Sequence, residues 1–170
     1  MSVLATVKKI VDALIYLLVG PFTVIGTVPL LLLELESKIG WPHFTSDISN
    51  DIGYLLMNLG AALALWCAWL MYKSQGSPIP SEPAKALVKS GPYAWVRHPM
   101  MNSLLMVGVG EVLVTGSLLV LMWVPIAVRA GVMFIAIYEE PVLLARYGTA
   151  YQAYCQEVPR WLPRWRQVDE

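Results

Sequence analysis

The chain has 170 residues, of which 57% are hydrophobic and only 14% are charged. Soluble domains carry about 25% charged residues, so this composition excludes a disordered chain and argues against an ordinary soluble domain. The 12 basic and 12 acidic residues cancel, so we expect no nucleic-acid partner. Two cysteines, Cys67 and Cys155, are too few for a disulfide framework or a zinc site, so no metal is expected. The length favours a single domain over 1–170.

Four apolar segments predict an all-α integral membrane protein with about four transmembrane helices. A bilayer core takes about 20 apolar residues as a helix. The segment Pro99–Tyr138 has 40 residues, and one straight helix of that length would be roughly 60 Å long. This is about twice the hydrocarbon thickness, so we expect a turn at Thr115–Ser117 and a C-terminal helical hairpin. The predicted spans cover about 10–34, 52–72, 99–115 and 118–138.

The charges between the spans predict the orientation in the membrane. Acidic residues dominate the loop after the first predicted span, whereas Lys and Arg dominate segments 74–98 and 139–170. Because Lys and Arg favour the cytoplasmic side, we expect both segments and both termini to be cytoplasmic. The small size and the lack of sorting signals favour a multi-pass protein of a prokaryotic plasma membrane. The oligomeric state is open.

The dipeptide Arg97-His98 directly precedes the third predicted span, and Pro99 occupies a favoured first helical position. Backbone N–H groups at a helix start are unpaired and attract anions, and the two side chains add donors there. This arrangement suits a carboxylate or a phosphate. The alternative is that Arg97 and His98 only anchor the span at the lipid headgroups.

The acidic pair Glu139-Glu140 directly follows the last predicted span. Neighbours on a helix diverge by about 100°, so we expect one carboxylate to face a cavity and the other to face water. A carboxylate can accept hydrogen bonds from sugar hydroxyls or pair with a cation, or the pair can simply end the span. Three tyrosines, Tyr147, Tyr151 and Tyr154, follow at helical spacing. They indicate either packing and an interfacial belt or a surface that stacks on a purine or a sulfonium.

Two charged residues, Glu111 and Arg129, lie inside the predicted spans, where charges usually face the bundle interior or a cavity. Their depths differ by about 12 Å, so we expect no direct ion pair across the hairpin. Arg129 is a candidate to bind the head group of a substrate. The alternative is that it snorkels or pairs with backbone carbonyls.

The order of several motifs resembles the membrane methyltransferase family that includes isoprenylcysteine carboxyl methyltransferase and the phospholipid N-methyltransferases. The resemblance covers about 76–163, roughly half of the chain. It rests on Leu87-Val88, Gly91-Pro92-Tyr93, Arg97-His98-Pro99, Glu139-Glu140, Leu143, Tyr147-Gly148, Tyr151, Tyr154, Val158, Arg160 and Pro163.

The resemblance implies S-adenosylmethionine as the methyl donor, bound by a cytoplasmic loop and tail helix. Cofactor contacts are implied for Lys85, Ala86, Leu87, Val88, Tyr93, His98, Pro99, Met100, Met101 and Glu139, and Arg97 is suited to the cofactor carboxylate. The sequence departs from the family at Met101, where a Tyr is usual. It also departs at Ile135, where prenylcysteine methyltransferases have an Arg that is thought to hold the substrate carboxylate.

We therefore expect an S-adenosylmethionine-dependent methyltransferase that acts on a lipophilic or lipid-attached acceptor, either isoprenylcysteine carboxylate-like or phospholipid amine-like. An amine acceptor must lose a proton, and Glu140 or His98 is the candidate base. Two alternatives remain: an NADPH-dependent membrane reductase of the sterol type, and a non-enzymatic four-helix transporter that uses Glu111 and Arg129.

Overall fold

The computed structural model describes residues 20, 22–74 and 86–163, and this part of the chain is helical without a strand. The predicted all-α class is confirmed over these residues. In chain order the elements are a π turn at Thr23–Thr27, α1 (Val28–Ile39), α2 (Asp47–Lys73), a 3-10 turn at Gly91–Ala94, α3 (Pro99–Thr115), α4 (Leu118–Phe134), a π turn at Ile135–Glu139, α5 (Glu140–Tyr147) and α6 (Thr149–Glu157).

Two helices are long and apolar enough to cross a membrane. They are Asp47–Lys73 and the continuous helix Leu118–Tyr147, which joins α4, the π turn and α5. Only 17% and 11% of their apolar windows are buried inside the protein, whereas the core helix of a soluble protein is mostly buried. Helix α3 is apolar but shorter, with 17 residues. The exposed apolar faces of the two long helices are therefore suited to contact with lipid.

The predicted turn between the last two spans is confirmed. Helix α3 ends at Thr115, and Gly116 adopts the left-handed conformation with φ +58° while its N–H donates to the Val112 carbonyl. The Ser117 side chain then accepts a hydrogen bond from the Val120 N–H and caps α4. A Cβ on Gly116 would lie 2.6 Å from the Phe44 backbone, so both the conformation and the space require glycine.

The first predicted span differs from the structure at its end. Residues 1–19 and 21 lie outside the described part, and α1 continues past residue 34 to Ile39. Glu36 was expected in a loop, but it lies on the last turns of α1, fully buried, and its Oε1 accepts a hydrogen bond from the Leu118 N–H at 3.0 Å. Helix α1 continues through these polar residues for two reasons. The Glu36 carboxylate pairs with an otherwise unpaired backbone N–H at the start of α4, and Gly40 provides a left-handed C-cap.

Helices α2 and α3 make the most extensive helix–helix contact among the described elements. Two glycines of α2, seven residues apart, lie against the α3 backbone: a Cβ on Gly53 would lie 2.8 Å from the Gly110 carbonyl oxygen, and one on Gly60 would lie 2.8 Å from that of Ser103. Backbone atoms cannot move aside as a flexible side chain can. Small residues therefore set the close approach of these two helices.

The tyrosines of the tail form a packed cluster. Tyr151 and Tyr154 are buried together with Val158, and Leu87, Leu143 and Tyr147 pack around them. The Tyr154 hydroxyl donates to the Tyr93 carbonyl at 2.7 Å. Burial raises the pKa of Tyr154 well above its usual range, so the phenol stays protonated and keeps this bond. Of the two interpretations of this aromatic stripe, the structure supports packing.

Candidate active site

A cavity of about 440 Å³ lies along α3 and α4, within the range of small-molecule sites. At one end, which we call the polar end, it is lined by Tyr93, Arg97, His98 and Glu139. The rest of the wall is mainly apolar and includes Met101, Leu104, Leu105, Ala127, Gly131 and Phe134. At the other end, which we call the far end, Glu111 and Trp123 line the wall. The shape and polarity suit a ligand with a polar head and an elongated apolar body.

The His98 ring lies between the two neighbouring carboxylates. Its Nδ1 is 3.5 Å from Glu139 Oε1, and its Nε2 is 3.2 Å from Glu140 Oε1. Glu139 lines the cavity as expected, but the expectation that the other acid faces water is wrong, because the Glu140 side chain is 14% exposed and approaches the same ring. The two nitrogens of the imidazole point in different directions, so one buried ring meets both neighbouring carboxylates. His98 itself is 5% exposed, so its two carboxylate neighbours fix the orientation of a buried ring.

Glu140 is the centre of an ion cluster beside the cavity and does not line its wall. Its Oε1 lies 3.2 Å from Arg97 Nη1 and 3.0 Å from Arg160 Nε, and its Oε2 accepts from Arg160 Nη2. With His98 as a third partner, the carboxylate faces two guanidinium groups and one imidazole. Its lone pairs are committed to these donors, which favours a positioning role over proton transfer to or from a ligand.

The tail segment, residues 158–163, packs against residues that form the polar end, although none of its own residues lines the cavity wall. The Pro159 carbonyl accepts a hydrogen bond from the Arg97 N–H at 2.9 Å. The Trp161 carbonyl accepts one from Asn102 Nδ2 at 3.0 Å, and the Trp161 ring lies 5.5 Å from the His98 ring. Sequence reasoning missed Asn102 and Trp161. A large aromatic residue between Pro159 and Pro163 is the signal that could have indicated Trp161.

The start of α3 is less open to an anion than the sequence predicts. The His98 carbonyl accepts hydrogen bonds from the N–H groups of Met101 and Asn102, and Pro99 has no N–H. Met100 keeps an N–H for which no acceptor is found among residues 20, 22–74 and 86–163. The set of unpaired N–H groups is thus smaller than expected: the Asn102 bond is the ordinary first bond of the helix, but the Met101 N–H is also paired and Pro99 has none.

The structure brings most of the expected cofactor residues to the cavity. Its wall includes Tyr93, Arg97, His98, Pro99, Met100, Met101 and Glu139. Leu87 packs against the buried tyrosines of the tail, Val88 packs against Tyr93 and Cys67, and Ala86 is exposed. Lys85 lies outside the described residues.

Arg129 is not among the residues that line the cavity, so its contact with a substrate head group stays a prediction. The side chain is exposed, while its neighbours Val128 and Ala130 and the residues Ala127 and Gly131 line the wall. An exposed side chain on this helix fits the alternative that Arg129 snorkels.

Met101 fills part of the space opposite α4. A Cβ on Gly131 would lie 2.7 Å from Met101 Cε, so the absence of a side chain at Gly131 leaves room for the methionine. Ile135, at the second departure from the family pattern, also lines the cavity and presents an apolar side chain there.

These features describe a helical protein with apolar outer faces and a cavity that combines one polar end with an apolar body. A model of the phospholipid methyltransferase family matches residues 49–150, which is more than half of the chain. The chain therefore belongs to the phospholipid methyltransferase family, as the motifs predict. The match includes Arg97-His98-Pro99 and Glu139-Glu140, but it ends before the tail segment. A comparison with curated proteins gives no match.

Proposed function

We propose that the protein is an S-adenosylmethionine-dependent methyltransferase of the membrane that acts on a lipophilic or lipid-attached acceptor. The observation that carries this proposal is the two-part cavity in a chain of this family: a buried polar end formed by Arg97, His98 and Glu139, continuous with an apolar body. A polar cofactor and a lipophilic acceptor would meet where the two parts join.

The residues of the polar end fit the chemical groups of S-adenosylmethionine. Glu139 is 28% exposed and has one imidazole nitrogen at 3.5 Å, so its oxygens can accept from ribose hydroxyls or pair with the ammonium. Arg97 lines the cavity, and its Nε is buried without a hydrogen-bond partner. This N–H can therefore donate to the carboxylate of the cofactor. Met100 and Met101 offer an apolar wall to the adenine.

The cofactor supplies an electrophilic methyl group on its sulfonium, and the protein supplies position and exclusion of water. Holding two reactants in line is worth about 7–11 kcal/mol in favourable cases. The apolar wall limits the access of water to the polar end, where His98 is 5% exposed. Burial also raises the pKa of Tyr93 well above its usual range, so its hydroxyl stays neutral there.

For an amine acceptor, His98 is the residue we assign as the proton acceptor, with Glu139 beside its Nδ1. Glu140 then acts as a positioning residue, since it holds His98 and Arg97 from outside the cavity wall. The apolar Ile135 offers no cation to a carboxylate acceptor, and the remaining donor of Arg97, its Nε, is the one assigned above to the cofactor carboxylate. These two facts favour a phospholipid amine-like acceptor over an isoprenylcysteine carboxylate-like one.

The proposed arrangement in the bilayer has four spans with both termini, the segment 74–98 and the segment 139–170 on the cytoplasmic side. The two long apolar helices support it, as does the confirmed turn at Gly116, which makes α3 and α4 a hairpin. The bilayer and the lipophilic acceptor are then the partners of the protein, in the plasma membrane of a prokaryote.

Substitution of Glu139 tests the proposal. We expect Glu139→Ala to weaken binding of S-adenosylmethionine and S-adenosylhomocysteine at least ~10-fold, because a hydrogen bond to a charged group is worth about 1.5–3 kcal/mol. Calorimetric titration of the detergent-purified protein measures both constants, and Glu157→Gln on the exposed face of α6 is the control. Unchanged affinity in Glu139→Ala, or binding of NADPH in place of both compounds by the wild type, would overturn the proposed site.

Substitution of Trp161 tests the contribution of the tail segment. Trp161→Ala removes the ring beside His98 but keeps the carbonyl that accepts from Asn102. We expect S-adenosylhomocysteine to bind ~5- to 10-fold more weakly, because the His98 ring, which lines the cavity, loses the aromatic ring packed beside it; aromatic contacts of this type contribute about 0.5–1.5 kcal/mol. Trp95→Ala, at a ring that is 64% exposed, is the matched control. Equal affinities in the two variants would contradict a role for the tail segment in binding.

A further inference from the structure

Glu111 is a carboxylate at the far end of the cavity that the proposed reaction does not use. It lies on α3, twelve residues after Pro99, so about 18 Å of helix separates it from the polar end. Its backbone carbonyl accepts a hydrogen bond from the Thr115 hydroxyl. Within the described ranges, the carboxylate itself has neither a hydrogen bond nor an ion pair.

Among the described residues, the surroundings of Glu111 do not compensate its charge. The cavity wall on this part of α3 and α4 includes Gly108, Trp123, Val124 and Ala127, and Val24 contacts Trp123 there. The indole Nε1 of Trp123 is already used, because it donates to the Val24 carbonyl at 2.9 Å. A carboxylate without a partner in an apolar environment is costly, so its retention in a cavity wall indicates a partner that enters with the ligand.

The position of Glu111 excludes direct participation in methyl transfer. The groups suited to the cofactor are all at the polar end, and Glu111 is about 18 Å away along the helix. Arg129, the nearby intramembrane cation in the sequence, is exposed and does not line the cavity. Glu111 therefore faces the part of the cavity that would hold the apolar body of an acceptor, at the end opposite the reacting group.

We propose that Glu111 determines acceptor specificity by binding a hydrogen-bond donor, either a hydroxyl or an ammonium, at the distal end of an elongated apolar acceptor. The inference rests on the proposed function and deepens it. It defines the substrate class as a bipolar molecule, with the methyl-accepting group at one end, a donor at the other end and an apolar portion between them. A simple alkyl chain without a distal donor leaves the carboxylate unpaired and binds more weakly.

Three probes of nearly equal length separate the possible partners: dodecanol, dodecylamine and dodecyl methyl ether, which lacks a donor. Their affinities are measured by calorimetry with the detergent-purified protein, with and without saturating S-adenosylhomocysteine. The partitioning of each probe into micelles is measured in detergent alone, and each affinity is corrected for it before the probes are compared. We expect the wild type to bind dodecanol or dodecylamine at least ~10-fold more tightly than the ether.

Two substitutions of Glu111 identify the interaction. Glu111→Leu is expected to bring the donor-to-ether ratio within ~2-fold of unity, whereas Glu111→Gln keeps a preference for dodecanol and loses any preference for dodecylamine. The control variant Glu139→Gln changes the polar end and is expected to retain the donor preference. A wild type without a donor preference, or a preference that persists in Glu111→Leu, overturns the inference.

The same titrations keep the two proposals separate. S-adenosylhomocysteine is titrated into the wild type and into both Glu111 variants. Absence of its binding to the wild type overturns the proposed function, while the probe series without it still measures the donor preference of Glu111. A preference for dodecylamine alone assigns an ammonium as the distal group, and a preference for both donor probes assigns a hydrogen-bond donor irrespective of charge.

Discussion

Glu140→Leu is expected to produce the largest loss of both stability and cofactor binding among single substitutions at the polar end. Glu140 is the shared partner of Arg97, Arg160 and His98, and its side chain is 14% exposed. Removing it leaves a guanidinium at Arg97, 16% exposed, without its carboxylate. Breaking a buried pair in this way costs about 3–5 kcal/mol, and the partial exposure of Arg160 places the expected value near the lower limit.

The measurement combines thermal unfolding with titration of S-adenosylhomocysteine. The double variant Arg160→Leu with Glu140→Leu removes two of the charges together, so we expect it to be more stable than Glu140→Leu alone. Glu157→Leu, which removes an exposed carboxylate from α6, is the matched control. A melting temperature of Glu140→Leu equal to that of the control would show that the cluster does not stabilise the fold.

Gly60→Leu is expected to prevent the native packing of α2 against α3. A Cβ at this position would lie 2.8 Å from the Ser103 carbonyl oxygen and 2.9 Å from Val107 Cγ2. The nearest atom, the Ser103 carbonyl oxygen, belongs to the backbone and cannot rotate away as a side chain can. Helices α2 and α3 must therefore move apart along their extensive contact. Overpacking costs typically about 1–3 kcal/mol, and a backbone obstacle places this variant at or above that range.

Size-exclusion chromatography and thermal unfolding in detergent report on this substitution. Gly60→Ala adds only the Cβ and is expected to have an intermediate effect. The control is Ala61→Leu, which introduces a leucine at the next residue of α2, where the side chain is exposed. A Gly60→Leu protein as monodisperse and as stable as the control would show that the two helices do not approach as described.

Local signals predicted the features of the fold that depend on a few adjacent residues. The turn at Gly116 and the start of α3 at Pro99 lie where the sequence places them, because a left-handed glycine and an N-terminal proline act through their own backbone geometry. The end of α1 was missed because the buried partner of Glu36 is the Leu118 N–H, which is 82 residues away in the chain.

The same distinction applies to the site. The residues that line the cavity at 97–101 and Glu139 were predicted from motifs, whereas the approach of both carboxylates to His98 depends on the placement of one ring about 40 residues earlier in the chain, which no local pattern indicates. Leu87 and Val88 look like cofactor contacts in the sequence, but as apolar residues they also suit the clusters in which they pack. The orientation of Arg129 depends on which face of α4 meets α3.

The tail segment also determines the order in which the polar end can be assembled during biosynthesis. The Pro159 and Trp161 carbonyls accept hydrogen bonds from Arg97 and Asn102, residues that leave the ribosome about 60 positions earlier. Both helices of the hairpin are therefore synthesised before the segment that packs against the polar end. A nascent chain in which α3 and α4 have formed holds Glu140 without Arg160, so completion of the ion cluster is a late step that follows formation of the hairpin.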